Sequence, residues 1–367
     1  DMWYALLTIY GNDSQYDGLT FRTWDASTGI TYAATPSQAI RFANNEIIGD
    51  VENPVIFNGR QECYRTLNLE KGWNWISFNL ASDKMNDANV LLNTGEIWSS
   101  DDILKNFDSQ TSYSSKLGKW ESVKLLNETS YKMKVSQAHK LTVSGSPVDV
   151  AKTKITVNGN AWNYIGYLPS VNHTVKEALA GYDAQPGDVV KSQTGFAMYS
   201  KNEWVGSLSY MNANEGYMLK RTKADTVDFV YPASSGTLGN LRAAEMLEEN
   251  PERTEATGKY AENMNIVVTA EGLTADDRIV ALVNGEERAV GTFVDNDGKS
   301  LSFLTVPGNE AGSSVTFARL RNSEEEISST EVKFQSNNVV GSVESPLKLA
   351  FGNEISNDAA NAVGLNS

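Results

Sequence analysis

Three aromatic side chains, Trp120, Trp204 and Tyr199, have the chemistry needed to stack on a sugar ring. Trp120 ends the polar turn "SKLGKW" and Trp204 ends "YSKNEW", so both are expected near a hairpin tip, with Tyr199 shortly before Trp204. Ligand pockets combine apolar walls with a few polar groups, and only the aromatic part of that pattern is visible here. The alternative is that both tryptophans close one end of a core. The sequence leaves both interpretations open.

Asp295 and Asp297, in "DNDGKS", are the candidate metal ligands, and the metal would be calcium. The segment lacks the glutamate that completes an EF-hand loop. A tight hairpin turn at Asp-Gly explains the same residues, and we expect no other cofactor.

The residues that most often carry catalysis do not form a recognisable arrangement. We expect His139 in a strand, His173 at the start of a helix, and Cys63 buried as a small apolar residue. None belongs to a Gly-x-Ser-x-Gly or His-x-x-x-His pattern. We therefore expect no enzymatic activity.

Composition limits the partners. The 31 basic and 46 acidic residues give a net charge of −15, which would repel a phosphate backbone, so nucleic acid is excluded as a partner. No run of 18 apolar residues is present, so no membrane span is expected. The single cysteine, Cys63, rules out an internal disulfide.

The centre of the chain contains a tandem repeat. "WNWISF" (73–78) matches "WNYIGY" (162–167), and later positions pair Trp120 with Trp204 and Tyr131 with Tyr217. Bulky groups on both faces of "WNWISF" favour a buried strand over a sugar platform, with Trp73 and Trp162 at equivalent buried sites. We expect two β-rich units, each a small barrel or sandwich with one short helix: repeat 1 (64–149) and repeat 2 (150–232).

The helix of repeat 2 has the clearest local signal. Thr174 and Glu177 have the spacing of a capping box, and Gly181 is expected to end the helix. The segment "MNDANVLLNT" (85–94) lies at the corresponding place in repeat 1.

A second repeat relates the two ends. "RFANNEIIGDVENPV" (41–55) aligns without a gap with "KFQSNNVVGSVESPL" (333–347), and "LLTIYGN" (6–12) with "FLTVPGN" (303–309). The strand-rich half at 264–299 has no N-terminal counterpart, so the chain is expected to begin inside a module. Residues 1–57 should therefore not stand alone. They should dock on repeat 1, or be completed by strands from upstream chain or another molecule.

These patterns predict a mainly all-β protein: two small β-barrel or sandwich repeats with short helices, flanked by immunoglobulin-like β-sandwich modules. Short alternating strands separated by Asn284-Gly285 and Asp297-Gly298 turns indicate the sandwich. Besides the repeats, the expected units are an incomplete N-terminal segment (1–60), an acidic linker (233–263), a C-terminal sandwich (264–352) and a flexible tail (353–367).

The quoted end motifs, together with "GWNWISFNL", resemble modules of large secreted and cell-surface proteins of the Bacteroidetes. The tail "NEISNDAANAVGLNS" resembles the segment before the sorting domain of type IX secretion cargo, and Asp225-Thr226-Val227 fits an O-glycosylation pattern of that group. The resemblance implies an extracellular or outer-membrane location.

The expected function is a non-catalytic structural and binding region of such a protein, an adhesin-type stalk or display modules. Its partners would be other domains of a longer chain, a surface protein or a glycan. The alternative is a carbohydrate-binding accessory region of a secreted hydrolase whose catalytic domain lies upstream.

Overall fold

The structure, a computed structural model, describes residues 5–25, 30–93, 95–232, 250–322 and 324–351. Strands make up 47% of these residues and form mainly antiparallel sheets, with only three short α-helices among the described residues, so the expected all-β fold is confirmed. The expected tail and the first part of the expected linker, 233–249, fall outside the described residues.

The strands and helices follow one another in this order. The N-terminal segment contains β1 (Gln15–Tyr16), β2 (Phe21–Asp25), β3 (Ile30–Pro36) and β4 (Phe42–Ala43). Repeat 1, with the strand that leads into it, contains β5 (Phe57–Leu69), β6 (Gly72–Ser77), β7 (Leu80–Ala81), a 3-10 turn (Asp83–Asn86), α1 (Ala88–Leu92), β8 (Ile103–Lys105), β9 (Gln110–Ser114), β10 (Lys119–Trp120), β11 (Ser130–Val135) and β12 (His139–Pro147).

Repeat 2 contains β13 (Ile155–Val157), β14 (Ala161–Gly166), β15 (His173–Thr174), α2 (Val175–Ala178), β16 (Val189–Lys191), β17 (Phe196–Ser200), β18 (Glu203–Gly206), β19 (Tyr210–Met211), β20 (Gly216–Arg221) and β21 (Val227–Phe229). After it come α3 (Glu255–Lys259), β22 (Asn263–Ala270), β23 (Arg278–Val283), β24 (Glu286–Val290), β25 (Thr292–Asn296), β26 (Lys299–Pro307), β27 (Ser314–Arg321), β28 (Glu324–Lys333), β29 (Val339–Val340) and β30 (Leu347–Leu349).

The two repeats have the same sheet. Its strand order is β6-β11-β8-β9-β10 in repeat 1 and β14-β20-β16-β17-β18 in repeat 2, so each strand has a counterpart at the same place. Trp73 and Trp162 begin equivalent strands, as expected, but both side chains are only partly buried. Each lies against a lysine amine, Trp73 against Lys105 at 5.0 Å and Trp162 against Lys191 at 4.5 Å. These aromatic faces therefore pack on lysine side chains rather than filling a dry core.

Equivalent buried carboxylates brace the two sheets. Asp102 accepts hydrogen bonds from the backbone N–H groups of Ser99 and Ser136, at 2.7 Å each. Asp188, at the same place in repeat 2, accepts from the N–H groups of Gln185 (2.9 Å) and Thr222 (2.7 Å). Both carboxylates are fully buried, which is tolerated because donors surround them.

The repeats contact each other through matching surfaces. Ser77 N donates to Asn214 O at 3.0 Å, and Gly166 N, the counterpart of Ser77, donates to Glu128 O at 3.0 Å. A Cβ on Gly166 would lie 1.8 Å from Asn127 O, so only glycine permits this approach. Each repeat therefore makes the equivalent contact to the other. The two repeats are related as the subunits of a two-fold symmetric dimer are, although they belong to one chain.

The N-terminal segment docks on repeat 1, which confirms the expectation that residues 1–57 do not stand alone. β3 pairs with β5 and β5 with β12, giving the sheet order β2-β3-β5-β12-β7. β5 crosses the expected boundary between residues 60 and 64, so the two units share a strand.

Residues 250–263 form a packed connection, where the sequence indicated a linker. Arg253 donates to Lys71 O (2.9 Å) and Trp73 O (3.0 Å), and Ala261 O accepts from Trp75 Nε1 at 3.2 Å. Thr254 caps α3 in a capping box with Thr257. Hydrogen bonds to backbone carbonyls, donated by Arg253 and by the buried Trp75 indole, therefore hold this segment against repeat 1.

The C-terminal sandwich has two sheets, β25-β26-β22-β29 with β30 also on β22, and β24-β23-β27-β28. Its two-residue hairpins turn at Asn284-Gly285 and Asp297-Gly298, all four with positive φ, as the sequence predicted. One face packs on repeat 2 through a shared cluster, in which the Phe196 and Phe303 ring centroids are 5.2 Å apart.

The N-terminal segment repeats the local geometry of the C-terminal sandwich. Gly49 and Gly341 have φ of 78° and 72°, and Asn45 and Asn337 have φ of 60° and 62°. Left-handed backbone at the same two aligned positions explains why glycine and asparagine recur there. The aligned segments 41–55 and 333–347 thus adopt the same turn.

The side chains beside this turn have opposite environments in the two copies. Leu6 and Leu7 are 99% and 68% exposed, whereas the aligned Phe303 and Leu304 are 1% and 0% exposed. In the C-terminal sandwich these positions lie in β26, which is paired with β22 on one side and β25 on the other, and no such flanking strands pair with Leu6 and Leu7 among the described N-terminal residues. The N-terminal segment therefore presents the face that its copy uses as core.

Two buried lysines meet where repeat 1, repeat 2 and the C-terminal sandwich converge, here called the junction: Lys132, Lys191, Trp75, Trp162, Glu262, Asn263 and Asn337. Lys132 Nζ pairs with Glu262 Oε2 at 2.6 Å and lies 4.2 Å from the Trp75 ring centroid. Both lysine side chains are fully buried. Burial lowers the pKa of Lys132 to about 8, against the opposing effect of Glu262.

This pKa predicts a pH dependence of stability. Between pH 8 and 10.5 the unfolded chain binds a proton on Lys132 that the folded chain has released, so the unfolding free energy should rise with pH across that window. Lys132→Met, which copies Met218 at the equivalent position of repeat 2, should remove that part of the slope. Urea unfolding of both chains from pH 7 to 10.5 checks this, and parallel curves would contradict it. The other groups facing Lys132, namely Glu262, Lys105, Lys191 and Tyr164, are present in both chains, and loss of the Lys132 charge moves the pKa of Lys191 upward, which cannot restore the lost slope.

Candidate functional site

Trp204 lines a cleft in repeat 2 of about 320 Å³. Its other lining residues come from the start of α2, from β18 and from the segment after β18: Thr174, Val175, Lys176, Glu203, Gly206, Leu208 and Ser209. The Trp204 side chain is half-buried and packs on the repeat 2 core, with Tyr199 behind it at 5.2 Å between ring centroids. The cleft has one aromatic wall and a polar rim.

The start of α2 forms the opposite wall because its cap fixes the backbone there. Thr174 accepts from Glu177 N at 3.2 Å, and Glu177 Oε2 accepts from Thr174 N at 2.9 Å, so the predicted capping box is present. These donors lower the pKa of the Glu177 carboxyl group. The cap sets the position of Val175 and Lys176 relative to Trp204.

The rim of the cleft carries one ion pair. Lys176 Nζ lies 3.4 Å from Glu203 Oε1, and both side chains are largely exposed. Such pairs contribute little to stability, so both groups remain free to exchange this contact for a ligand hydroxyl. An aromatic face beside a lysine and a carboxylate suits a polar ring such as a sugar.

Trp120 has a different environment, and its expected ligand role is corrected. Its side chain is 1% exposed within the repeat 1 core, edge-on to Trp98 at 5.3 Å and to Tyr113 at 5.8 Å. A ring enclosed in this way has no face to offer a ligand. Trp120 is therefore a core residue, as the alternative interpretation expected.

One exchange between the repeats contributes to this difference. Trp98 in repeat 1 precedes Ser99 and the buried Asp102, and Ala184 has the same place before Gln185 and Asp188 in repeat 2. Trp98 covers Trp120, whereas an alanine cannot reach far enough to cover Trp204. Aligning the two repeats on the buried aspartates, Asp102 and Asp188, pairs Trp98 with Ala184, and that alignment is the sequence signal that could have revealed the difference.

The two candidate calcium ligands have roles in the sandwich. Asp295 Oδ1 accepts from Gly298 N at 2.9 Å, within the hairpin between β25 and β26. Asp297 Oδ2 lies 3.1 Å from Lys201 Nζ of repeat 2. The hairpin-turn interpretation accounts for both residues, and no group of three or more metal-ligating side chains occurs in the part of the chain that is described.

The two histidines and the cysteine are not among the residues that line the cleft. His139 Nδ1 is 2.9 Å from Glu96 Oε2 under the Trp98 ring, and Cys63 is buried in the repeat 1 core. His173 Nδ1 contacts the Tyr167 hydroxyl at 2.7 Å, and burial lowers the pKa of the imidazole. Each group is engaged in packing of its own unit.

Comparison of the chain with family models, with curated proteins and with solved structures gave no match. Among the described residues, no helix combines the length and the apolar character needed to cross a bilayer.

The two tryptophans should respond differently to truncation. Trp120→Ala removes a fully enclosed ring and should lower the unfolding free energy by about 3–5 kcal/mol. Trp204→Ala removes a half-buried ring and should cost about 1–2 kcal/mol. Urea unfolding of both variants measures the difference, and equal costs would contradict the assignment of Trp120 to the core and Trp204 to a cleft.

Proposed function

We propose that this chain is a non-catalytic structural and binding region of a secreted or cell-surface bacterial protein, of the stalk or display type. The observation that carries the proposal is the N-terminal segment. It reproduces the turn of the C-terminal sandwich while exposing Leu6, Leu7 and Ile47, whose aligned counterparts are Phe303, Leu304 and Val339. A face of this kind is a site for pairing with complementary strands.

The rest of the chain supports a structural role. Repeat 1, repeat 2 and the C-terminal sandwich contact one another through backbone hydrogen bonds, a shared apolar cluster and buried lysines. Such contacts hold neighbouring units in one fixed orientation, as a stalk or a display platform requires. The resemblance to Bacteroidetes surface modules also supports a structural role. Thr226, which belongs to the proposed O-glycosylation pattern, is exposed just before β21 and would be accessible to such a modification.

The complementary strands should resemble β22 to β25, because these complete the C-terminal copy. Leu6 aligns with Phe303, so Met2 takes the place of residue 299. A chimera in which residues 259–298 precede Met2 would therefore supply the half that the N-terminal segment lacks, with its Asp297-Gly298 turn intact.

We expect the chimera to slow hydrogen exchange of the amides in 5–10 and 42–57 by more than about tenfold, because paired and buried amides open rarely. The matched control carries Ile266→Lys and Val268→Lys in the added segment only, which places charges on its core face. Unchanged exchange in the chimera would show that this face does not accept such strands and would remove the main support for the proposal.

The second candidate function is carbohydrate binding, and the cleft beside Trp204 favours it. On a glycan array, the chain would then bind a defined set of sugars, and Trp204→Ala would abolish that binding. Trp24→Ala is the control, since Trp24 is 68% exposed on β2, away from the cleft. Binding that survives Trp204→Ala, or no binding at all, would argue against this function.

A further inference from the structure

Lys191 lies at the junction with two asparagine side chains against its amine. Its Nζ is 2.8 Å from Asn263 Oδ1 and 2.8 Å from Asn337 Oδ1, and the Trp162 ring centroid is 4.5 Å away. The side chain is fully buried. Unlike Lys132, it has no carboxylate in direct contact among the described residues.

The environment of Lys191 favours the neutral amine. Burial lowers its pKa well below the usual value, and the nearby Lys132 ammonium group lowers it further, against a smaller opposing effect of Glu262. A neutral amine has the lone pair that a nucleophile needs, and a lysine that is desolvated beside another cation is activated in this way.

Asn337 is the asparagine that has both a nucleophile and a proton carrier next to it. Its Nδ2 lies 3.4 Å from Glu262 Oε2, while its Oδ1 contacts Lys191. The amide of Asn263 instead donates to Ser192 O (3.2 Å) and Gln193 O (3.3 Å). Because a C=O bond is about 1.2 Å long, Lys191 Nζ lies within about 4 Å of Asn337 Cγ, close to the separation of a near-attack pair.

Asn337 is also held in place. Its backbone N–H donates to Asn263 O at 2.9 Å, its carbonyl accepts from Trp162 Nε1 at 2.9 Å, and its φ of 62° fixes the turn after β28. An amide held against a neutral buried amine, with a carboxylate on its leaving group, has the parts required for acyl transfer.

We propose that Lys191 and Asn337 form an intramolecular amide cross-link, with Glu262 as the proton carrier. Lys191 Nζ attacks Asn337 Cγ, and the bond from Cγ to Nδ2 breaks. In the tetrahedral intermediate Nζ and Nδ2 are bonded to the same carbon, so Glu262 Oε2, which contacts Nδ2, takes the proton that Nζ loses and delivers it to Nδ2, which leaves as ammonia. The products are one new amide and one ammonia molecule, so no oxidant, metal or other reactant is consumed.

The cross-link would join repeat 2 to the C-terminal sandwich across 146 residues of sequence. It would act as a disulfide does, by limiting the separation of two units in the unfolded chain, without requiring an oxidising environment. The single cysteine of the chain cannot supply such a bridge.

Mass spectrometry of the folded, purified chain tests the proposal. The intact mass should be lower than the sequence mass by one ammonia molecule, and a protease digest should contain a peptide with Lys191 joined to one with Asn337. The joined peptide is decisive, because a succinimide at an Asn-Gly pair such as Asn284-Gly285 loses the same mass without joining two peptides.

Glu262→Gln keeps the shape of the carrier and removes its base, so the joined peptide should be almost completely lost while the circular dichroism spectrum is retained. Lys191→Met should lose it entirely, and Asn338→Ser, at the neighbouring asparagine, should retain it. Absence of the joined peptide from the folded parent chain would overturn the proposal. Its undiminished presence in Glu262→Gln would overturn the role of Glu262.

Discussion

Burial of lysine side chains at the junction is the constraint on which the arrangement of the three main units depends. A lysine amine, charged or neutral, loses its hydration when it is buried, which is costly unless carboxylates, carbonyl oxygens or aromatic faces compensate for the loss. Lys191 belongs to repeat 2, but the oxygens around its amine belong to the C-terminal sandwich. Lys132 belongs to repeat 1 and takes its carboxylate from Glu262, just before the sandwich. Removing the sandwich together with the connection before it would leave both lysines without these partners, so the units fix one another.

Divergence between the repeats explains why the sandwich lies on only one of them. In repeat 2, Phe196 and Met198 project from β17 into the apolar cluster shared with the sandwich. The equivalent positions of β9 in repeat 1 are Gln110 and Ser112. Lys105, the counterpart of Lys191, remains partly exposed at 31%. The same sheet thus serves as a docking face in one copy and as a solvated surface in the other.

The sequence predicted the elements better than the contacts between them. The two-residue turns and the capping box at Thr174 depend on neighbouring residues, so local chemistry was enough to predict them. The tandem repeat was visible because its core strands keep their aromatic positions. The place of Trp120 was not predictable in this way, because its enclosure depends on Trp98, which is distant in sequence and packs edge-on against it.

The junction was missed for a related reason. Lys132 and Lys191 lie in strands among apolar residues, "SYKMKV" and "VVK", and a strand lysine is normally assigned to the solvated face. Only the three-dimensional packing shows that the sandwich covers that face. The one available signal was a spacing. Lys105 and Lys191 are separated by the same number of residues as Asp102 and Asp188, which places the two lysines at equivalent positions of the two repeats.

Native-state hydrogen exchange over a series of denaturant concentrations tests most directly whether the junction makes these units one cooperative body. The slowest amides of β11, β16 and β22 should converge on a single unfolding free energy, because opening any one unit exposes a buried lysine or its partner. Exchange of the β22 amides through an opening that left those of β16 protected would contradict this cooperativity, since the sandwich would then separate from repeat 2 without the cost that the junction implies.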